Sequence, residues 1–228
     1  MLVKYWMSRD VVTVSPEDSM KCAMDLIKRN QIRQLLVMAK DGQLKGMLSD
    51  GDLKRASASD ATTLDIHELI YLLDKVKVAD IMSQPVITVP IDYTIEEAAE
   101  MLQKHKISSM PVLAADGSVR GIITRSDLFR ALVSLTGLHD RGLHIALMLE
   151  DRPGSIMEVA NLVRQIGGKM ASILTSYNRC PEGYRRVYLR IYNIDRSRID
   201  TLLDQIVGTA KLLYMVDHRE NRREIFSE

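Results

Sequence analysis

Apolar residues in this chain recur in two rhythms. Met20, Ala23, Met24 and Ile27 follow helical spacing, as do Ile95, Ala98, Ala99 and Leu102, and each stripe predicts one amphipathic helix. Ser15 and Asp92 are the expected N-caps, with Pro16 suited to a first helical turn. A short β-rich run precedes each stripe, at Val11–Val14 and Val86–Val89. Two strands are expected after each stripe, "QLLVM" and "LKGMLS", then "MPVL" and "VRGIIT". Asp41-Gly42 and Asp116-Gly117 join them, a pairing that favours hairpin turns.

These elements form a duplicated unit. Residues 7–56 overlay residues 82–131 without a gap, at an offset of 75. Each copy reads β-α-β-β-α, and its second helix is expected to start at the Asp of an octet, "GMLSDGDL" (46–53) or "GIITRSDL" (121–128). Between the copies, "SASDATT" opens a linker over 57–77. Leu64, Leu69, Leu72, Leu73 and Val76 give it helical periodicity. The expected boundaries are 1–56 for the first repeat, 57–77 for the linker helix and 78–137 for the second repeat.

The remainder has a different grammar. "LHIALML" predicts a strand, and Ile156, Val159, Val163 and Ile166 a helix closed by Gly167-Gly168. "KMASILTSY" is a second strand. "YRRVYLRIYN" then alternates, with Val187, Leu189 and Ile191 on one side and Tyr188, Arg190 and Tyr192 on the other. Ile199, Leu202, Leu203 and Ile206 make a second helix and "KLLYMV" a last strand. The order over 143–217 is β-α-β-β-α-β, a ferredoxin-like pattern. "GLHDRG" (137–142) is the expected joint, and the mixed-sign tail "DHRENRREIFSE" is expected to be a solvated end. The fold class is therefore mixed α/β (α+β).

Composition narrows the function. The chain is 46% hydrophobic with a formal charge of +1, which gives no electrostatic case for nucleic acid or an anionic membrane. No apolar stretch is long enough for a membrane helix, and "MLVKYWMSRD" lacks the apolar run of a secretory signal. A cytoplasmic location is expected, with Cys22 and Cys180 as buried thiols rather than a disulfide, although Cys180 stands in the loop "NRCPEG", open to exposure, and is expected to be inert. His139 and His144 are expected at the surface and no metal site is expected. There is no P-loop, no Gly-x-Ser-x-Gly elbow and no His-Glu-x-x-His. Nothing pairs a nucleophile with a base, so no catalytic residue is assigned and the chain is not expected to be an enzyme.

The octet carries chemistry. Its Gly would let a strand pass close to a flat ligand, and its apolar pair (Met47 and Leu48, or Ile122 and Ile123) can wall a ring. Ser49 or Thr124 stands at a strand-to-helix junction, able to cap the helix or donate to a phosphate. Asp52 or Asp127, three residues on, can accept from a ribose diol. The same Ser/Thr-x-x-Asp spacing also suits a capping box, so both readings stay open. Arg125 favours phosphate beside Thr124, whereas Asp50 opposes it beside Ser49, and Arg33 can supply charge to the first copy.

The tandem units, with "DIM" (80–82), "ISSMPV" (107–112) and the octet, resemble a cystathionine-β-synthase-type (CBS) domain pair, a pseudo-symmetric module. The C-terminal pattern, with Arg152-Pro153-Gly154 at its first turn, resembles an ACT domain. The order CBS–CBS–ACT resembles the regulatory proteins of the acetoin-utilisation B type. The resemblance implies an adenosyl ligand (AMP, ADP, ATP or S-adenosylmethionine) and no required cofactor. It places Ile107, Ser108, Met110, Pro111, Ile123, Thr124, Arg125, Ser126 and Asp127 at the main site. Ser49, Asp52 and Arg33 would form the second. In the ACT-like part, Asp151, Arg152, Pro153, Gly154, Ser155 and Ile156 are candidates for a free amino acid, with Asp151 accepting its ammonium and the helix start its carboxylate. A well-formed turn with Ser155 as N-cap explains the same residues. A homodimer is expected. The alternative is a nucleotide-free scaffold that binds a partner enzyme.

Overall fold

A computed structural model describes residues 1–60, 73–140 and 142–226. The 57–77 linker therefore lies largely outside the described residues, Leu64, Leu69 and Leu72 among them. The chain divides into two compact units, Met1–Phe129 and Arg130–Glu228.

The first unit holds two three-stranded sheets built alike. In the first repeat these are β1 (Thr13–Val14), α1 (Met20–Asn30), β2 (Gln34–Met38), β3 (Leu44–Ser49) and α2 (Asp50–Asp60). A short α3 (Val78–Ile81) leads into the second, which has β4 (Val89–Pro90), α4 (Ile95–Lys104), β5 (Ser109–Leu113), β6 (Val119–Thr124) and α5 (Arg125–Leu135). The register repeats at the same offset: Val14↔Val37 and Leu36↔Met47 answer Val89↔Val112 and Pro111↔Ile122. Met20 and Ala23 bury the inner face of α1 against Leu35, Val37 and Leu48. A fully buried side chain of this size contributes about 2 kcal/mol.

Two helix starts differ from expectation. Ser19 caps α1, accepting from the Cys22 amide at 3.3 Å, and Thr94 caps α4 in a reciprocal box with Glu97. Ser15 instead sits in a turn, its amide donating to Asp18 at 2.8 Å. Met24 lies on the exposed side of α1, as does Cys22, which is not the buried thiol expected; Cys180 is partly exposed. Both octet helices start directly after the hydroxyl residue, two positions before the Asp.

The lead-ins are exchanged between repeats. The Ile95 amide donates to the Met1 carbonyl and Val3 to Tyr93, both at 2.8 Å. The counterparts at the offset of 75, with the repeats' roles exchanged, do the same: Met20 donates to Val76 and Val78 to Asp18. Val78 is consequently buried in the first repeat's core rather than its own. Ser83 bridges Met47 just as Ser8 bridges Ile122. The octet glycines serve this bridge: a Cβ on Gly121 would stand 2.5 Å from the Ser8 carbonyl oxygen. Their place is beneath the other repeat's lead-in, which corrects the expectation that they admit a ligand.

The second unit has β7 (Leu143–Glu150), α6 (Ser155–Gln165), β8 (Lys169–Ser176), β9 (Tyr184–Tyr192), α7 (Ile199–Val207), β10 (Lys211–Asp217) and β11 (Arg222–Ile225). Its sheet is antiparallel, in the order β11-β10-β7-β9-β8. Leu143, Ile145 and Leu147 join Val187, Leu189 and Ile191 beneath Val159, Val163, Leu202 and Ile206. The tail read as solvated contains β11, which pairs with β10 from Tyr214↔Ile225 to Asp217↔Arg222. The buried Asp217 carboxylate organises the connecting turn, accepting from the Arg219 amide at 2.9 Å. His144, expected at the surface, is half-buried beside Tyr188 and Tyr214.

Candidate functional site

In both octets the hydroxyl and carboxylate close a reciprocal capping box. The Thr124 amide and hydroxyl donate to Asp127 Oδ2 at 2.8 and 2.7 Å, and the Asp127 amide donates back to the hydroxyl at 3.3 Å. Ser49 and Asp52 repeat this at 2.8, 2.5 and 3.2 Å. One carboxylate oxygen of each Asp is thus committed to its own helix. The second oxygen of Asp52, Oδ1, accepts from Arg55 in an ion pair. An ionised oxygen with one donor still has capacity for another, such as a ribose hydroxyl.

A cleft of about 390 Å³ opens at the Ser49/Asp52 octet. Met47, Val86, Ile87 and Ile107 supply apolar surface. Ser49, Asp52 and Ser108 supply hydrogen-bonding groups, and Arg55, Lys106 and Arg125 supply cations. Both repeats build it. Gln34 on β2 donates to Ser108 Oγ at 2.8 Å and accepts from the Ser109 hydroxyl, tying the repeats together at the cleft. The Arg125 amide donates to the Ser108 carbonyl at 3.0 Å, and its Nε to the Ile107 carbonyl at 3.1 Å.

Residues expected together are therefore divided. Ser49, Asp52, Ile107, Ser108 and Arg125 line this cleft. Met110 and Ile123 are fully buried core residues and Pro111 is buried within β5. Thr124, Ser126, Asp127 and Arg33 lie outside the cleft lining, and Asp127 is only 4% exposed. The reason is tertiary. The packing sets the first repeat's octet against the second repeat's strand start, so Arg125 lines the same cleft as the octet of the other copy. Sequence reading missed Lys106, Arg55 and Gln34. The signal for Arg55 was its place one helical turn beyond Asp52. Lys106 carried no such signal; the structure shows it at a left-handed φ of 55°, matched by 53° at Gln31, its counterpart after α1.

In the second unit, the "DRPGS" turn places Gly154 at the N-cap of α6 with a φ of 88°, so Ser155 is the first helical residue and not the cap. Asp151 is ion-paired with Arg185 at 3.4 Å, and Arg185 also donates to Ser155 Oγ at 3.2 Å. Arg152 folds over the first turn to pair with Glu158 at 2.7 Å. Pro153 is exposed in the turn, and Ile156 borders a small apolar groove with Met157, Met170 and Ile173. Among the described residues, no group of His, Cys, Asp and Glu could hold a metal ion.

The CBS domain family matches residues 3–59 and 78–134, half of the chain. The chain belongs to the CBS-domain family. A CBS domain-containing protein of Dictyostelium discoideum is 31% identical over 135 residues, spanning 59% of this chain and 93% of that protein. Among solved structures, the CBS domain pair of protein MJ0100, in complex with 5′-methylthioadenosine and S-adenosyl-L-methionine, is 26% identical with a TM-score of 0.50. It covers 58% of this chain and 95% of its own. The CBS-domain-containing protein ATU1752 of Agrobacterium tumefaciens, 24% identical with a TM-score of 0.51, covers 58% of this chain and 99% of its own and shares the fold. Among the described residues, no helix is long and apolar enough to cross a membrane.

Proposed function

We propose that this protein is a non-catalytic, cytoplasmic sensor whose CBS pair binds an adenosyl ligand in the Ser49/Asp52 cleft. The observation that carries the reading is the cleft itself, with apolar walls, a carboxylate at a helix start and two cations, Lys106 and Arg125, in no ion pair among the described residues. The adenosyl ligands of the MJ0100 pair support the ligand class. Ile107 and Met47 are the residues we assign to the base, and Asp52 to the ribose. The reading moves the main site from Thr124/Asp127 to the first octet.

The β-α-β-β-α-β order and strand sequence of the second unit are consistent with a ferredoxin-like ACT domain, and we assign it to amino-acid sensing or to homodimer formation. The ion pair of Asp151 with Arg185 counts against Asp151 as the acceptor of a ligand ammonium. The CBS–CBS–ACT order favours a regulatory partner like those of the acetoin-utilisation B type.

A second reading has an observation of its own. The capping boxes account for the octets without any ligand, as a scaffold for a partner enzyme would require. Thermal unfolding of the full chain against AMP, ADP, ATP, S-adenosylmethionine and the free amino acids separates the two. An adenosyl ligand at a hundred times its dissociation constant should add about 2.7 kcal/mol. No shift with any adenosyl ligand would leave the scaffold reading standing.

A further inference from the structure

Gln34 and Ser109 stand at the same position of the two repeats, at the offset of 75, and each opens its strand. Each also pairs in register with the octet hydroxyl residue of its own repeat, Gln34 with Ser49 and Ser109 with Thr124. The two positions meet across the repeats. The Ser109 hydroxyl donates to Gln34 Oε1, and Gln34 Nε2 donates to Ser108 Oγ at 2.8 Å. All three residues border the cleft. The contact depends on unlike residues at like positions. An amide accepts and donates at once, and its stem gives it reach that a serine at position 34 would lack. Without that amide, the Ser109 hydroxyl, on a residue only 3% exposed, loses the acceptor it has in this structure.

We infer that Gln34 is a positioning residue: from the first repeat it aims the Ser108 hydroxyl of the second at a hydrogen-bond acceptor on the ligand. The inference rests on the adenosyl reading above and adds a specificity determinant to it. The donors run in one direction, from the buried Ser109 through Gln34 to Ser108. Because Ser108 Oγ accepts from Gln34, its own hydrogen stays available for a ligand. Each bond in such a chain polarises the next. The Ser108 carbonyl is taken by the Arg125 amide at 3.0 Å, so the backbone there is fixed and the hydroxyl is the group left to orient. The counterpart of Ser108 in the first repeat is Arg33, which carries no hydroxyl.

The test is titration calorimetry of the full chain with AMP, ATP and S-adenosylmethionine. It compares the wild type with Gln34→Leu, Ser108→Ala, Ser109→Ala and the double variant Gln34→Leu, Ser108→Ala, each checked for folding by circular dichroism. Gln34→Leu should weaken the binding of whichever ligands the wild type takes by about fivefold, the share of one hydrogen bond. Ser108→Ala should do the same, and the double variant should lose no more than either single one, because the two residues act through one bond. Ser109→Ala, which frees the far end of Gln34, should weaken binding by a smaller factor. A folded Gln34→Leu protein with wild-type affinity would overturn the inference, as would additive losses in the double variant. Unchanged binding in Ser109→Ala beside a loss in Gln34→Leu would overturn it too, making Gln34 a direct ligand contact. If Gln34→Leu does not fold, the milder Ser109→Ala decides, and wild-type affinity there overturns the inference. Absence of binding to the wild type by all three ligands would overturn the adenosyl reading itself, and the inference with it.

Discussion

Asp52 and Asp127 hold their helices with one oxygen in the same way, yet only Asp52 borders the cleft. Each is thus the other's control. Asp52→Ala and Asp127→Ala should lose similar stability, about 1 kcal/mol each from the capping box, measured by chemical denaturation. A second residue-scale consequence concerns His144. Burial, with the positive charges of Arg190 and His218, pushes its pKa down from 6.5 to about 4. The folded protein keeps it neutral while the unfolded chain takes up a proton below 6.5. Stability from this residue is therefore present above pH 6.5 and is lost as pH falls toward 4. Denaturant midpoints between pH 7 and pH 4 should fall for the wild type and fall less for His144→Gln. Equal slopes would remove His144 from the account.

At the scale of elements, the exchanged lead-ins explain both the glycines and the cleft. Gly121→Ala drives a methyl group into the Ser8 backbone, whereas Gly46→Ala meets the flexible Met82 side chain. The first should cost about 1–3 kcal/mol and the second clearly less, by equilibrium unfolding. The strands, the two hairpins and the amphipathic helices were legible because period and turn chemistry are local. The capped helix starts shifted because Ser15, a good cap by type, is spent on a turn with Asp18. Strand β11 was illegible for a different reason. As an edge strand with no buried face, it shows no alternation of apolar residues; Arg222 and Arg223 are exposed and backbone pairing to β10 holds it. The site residues were legible by type but not by grouping. Nothing local to the sequence shows that Arg125 belongs with Ser49 and Asp52 of the other repeat.

For the molecule as a whole, the chain separates into a duplicated unit of the CBS family and a second unit with a five-stranded antiparallel sheet and a core of its own. The proposed sensing belongs to the first unit, so ligand should protect backbone amides around Ser49, Asp52 and Ile107 from hydrogen exchange. The net charge is too small to draw an anion from a distance, so affinity must come from the local groups of the cleft. The most direct measurement is titration calorimetry of ATP into the wild type, Asp52→Ala and Asp127→Ala. The account predicts binding to the wild type and to Asp127→Ala, with strong loss in Asp52→Ala alone. Loss confined to Asp127→Ala, or no heat of binding to the wild type, would contradict it.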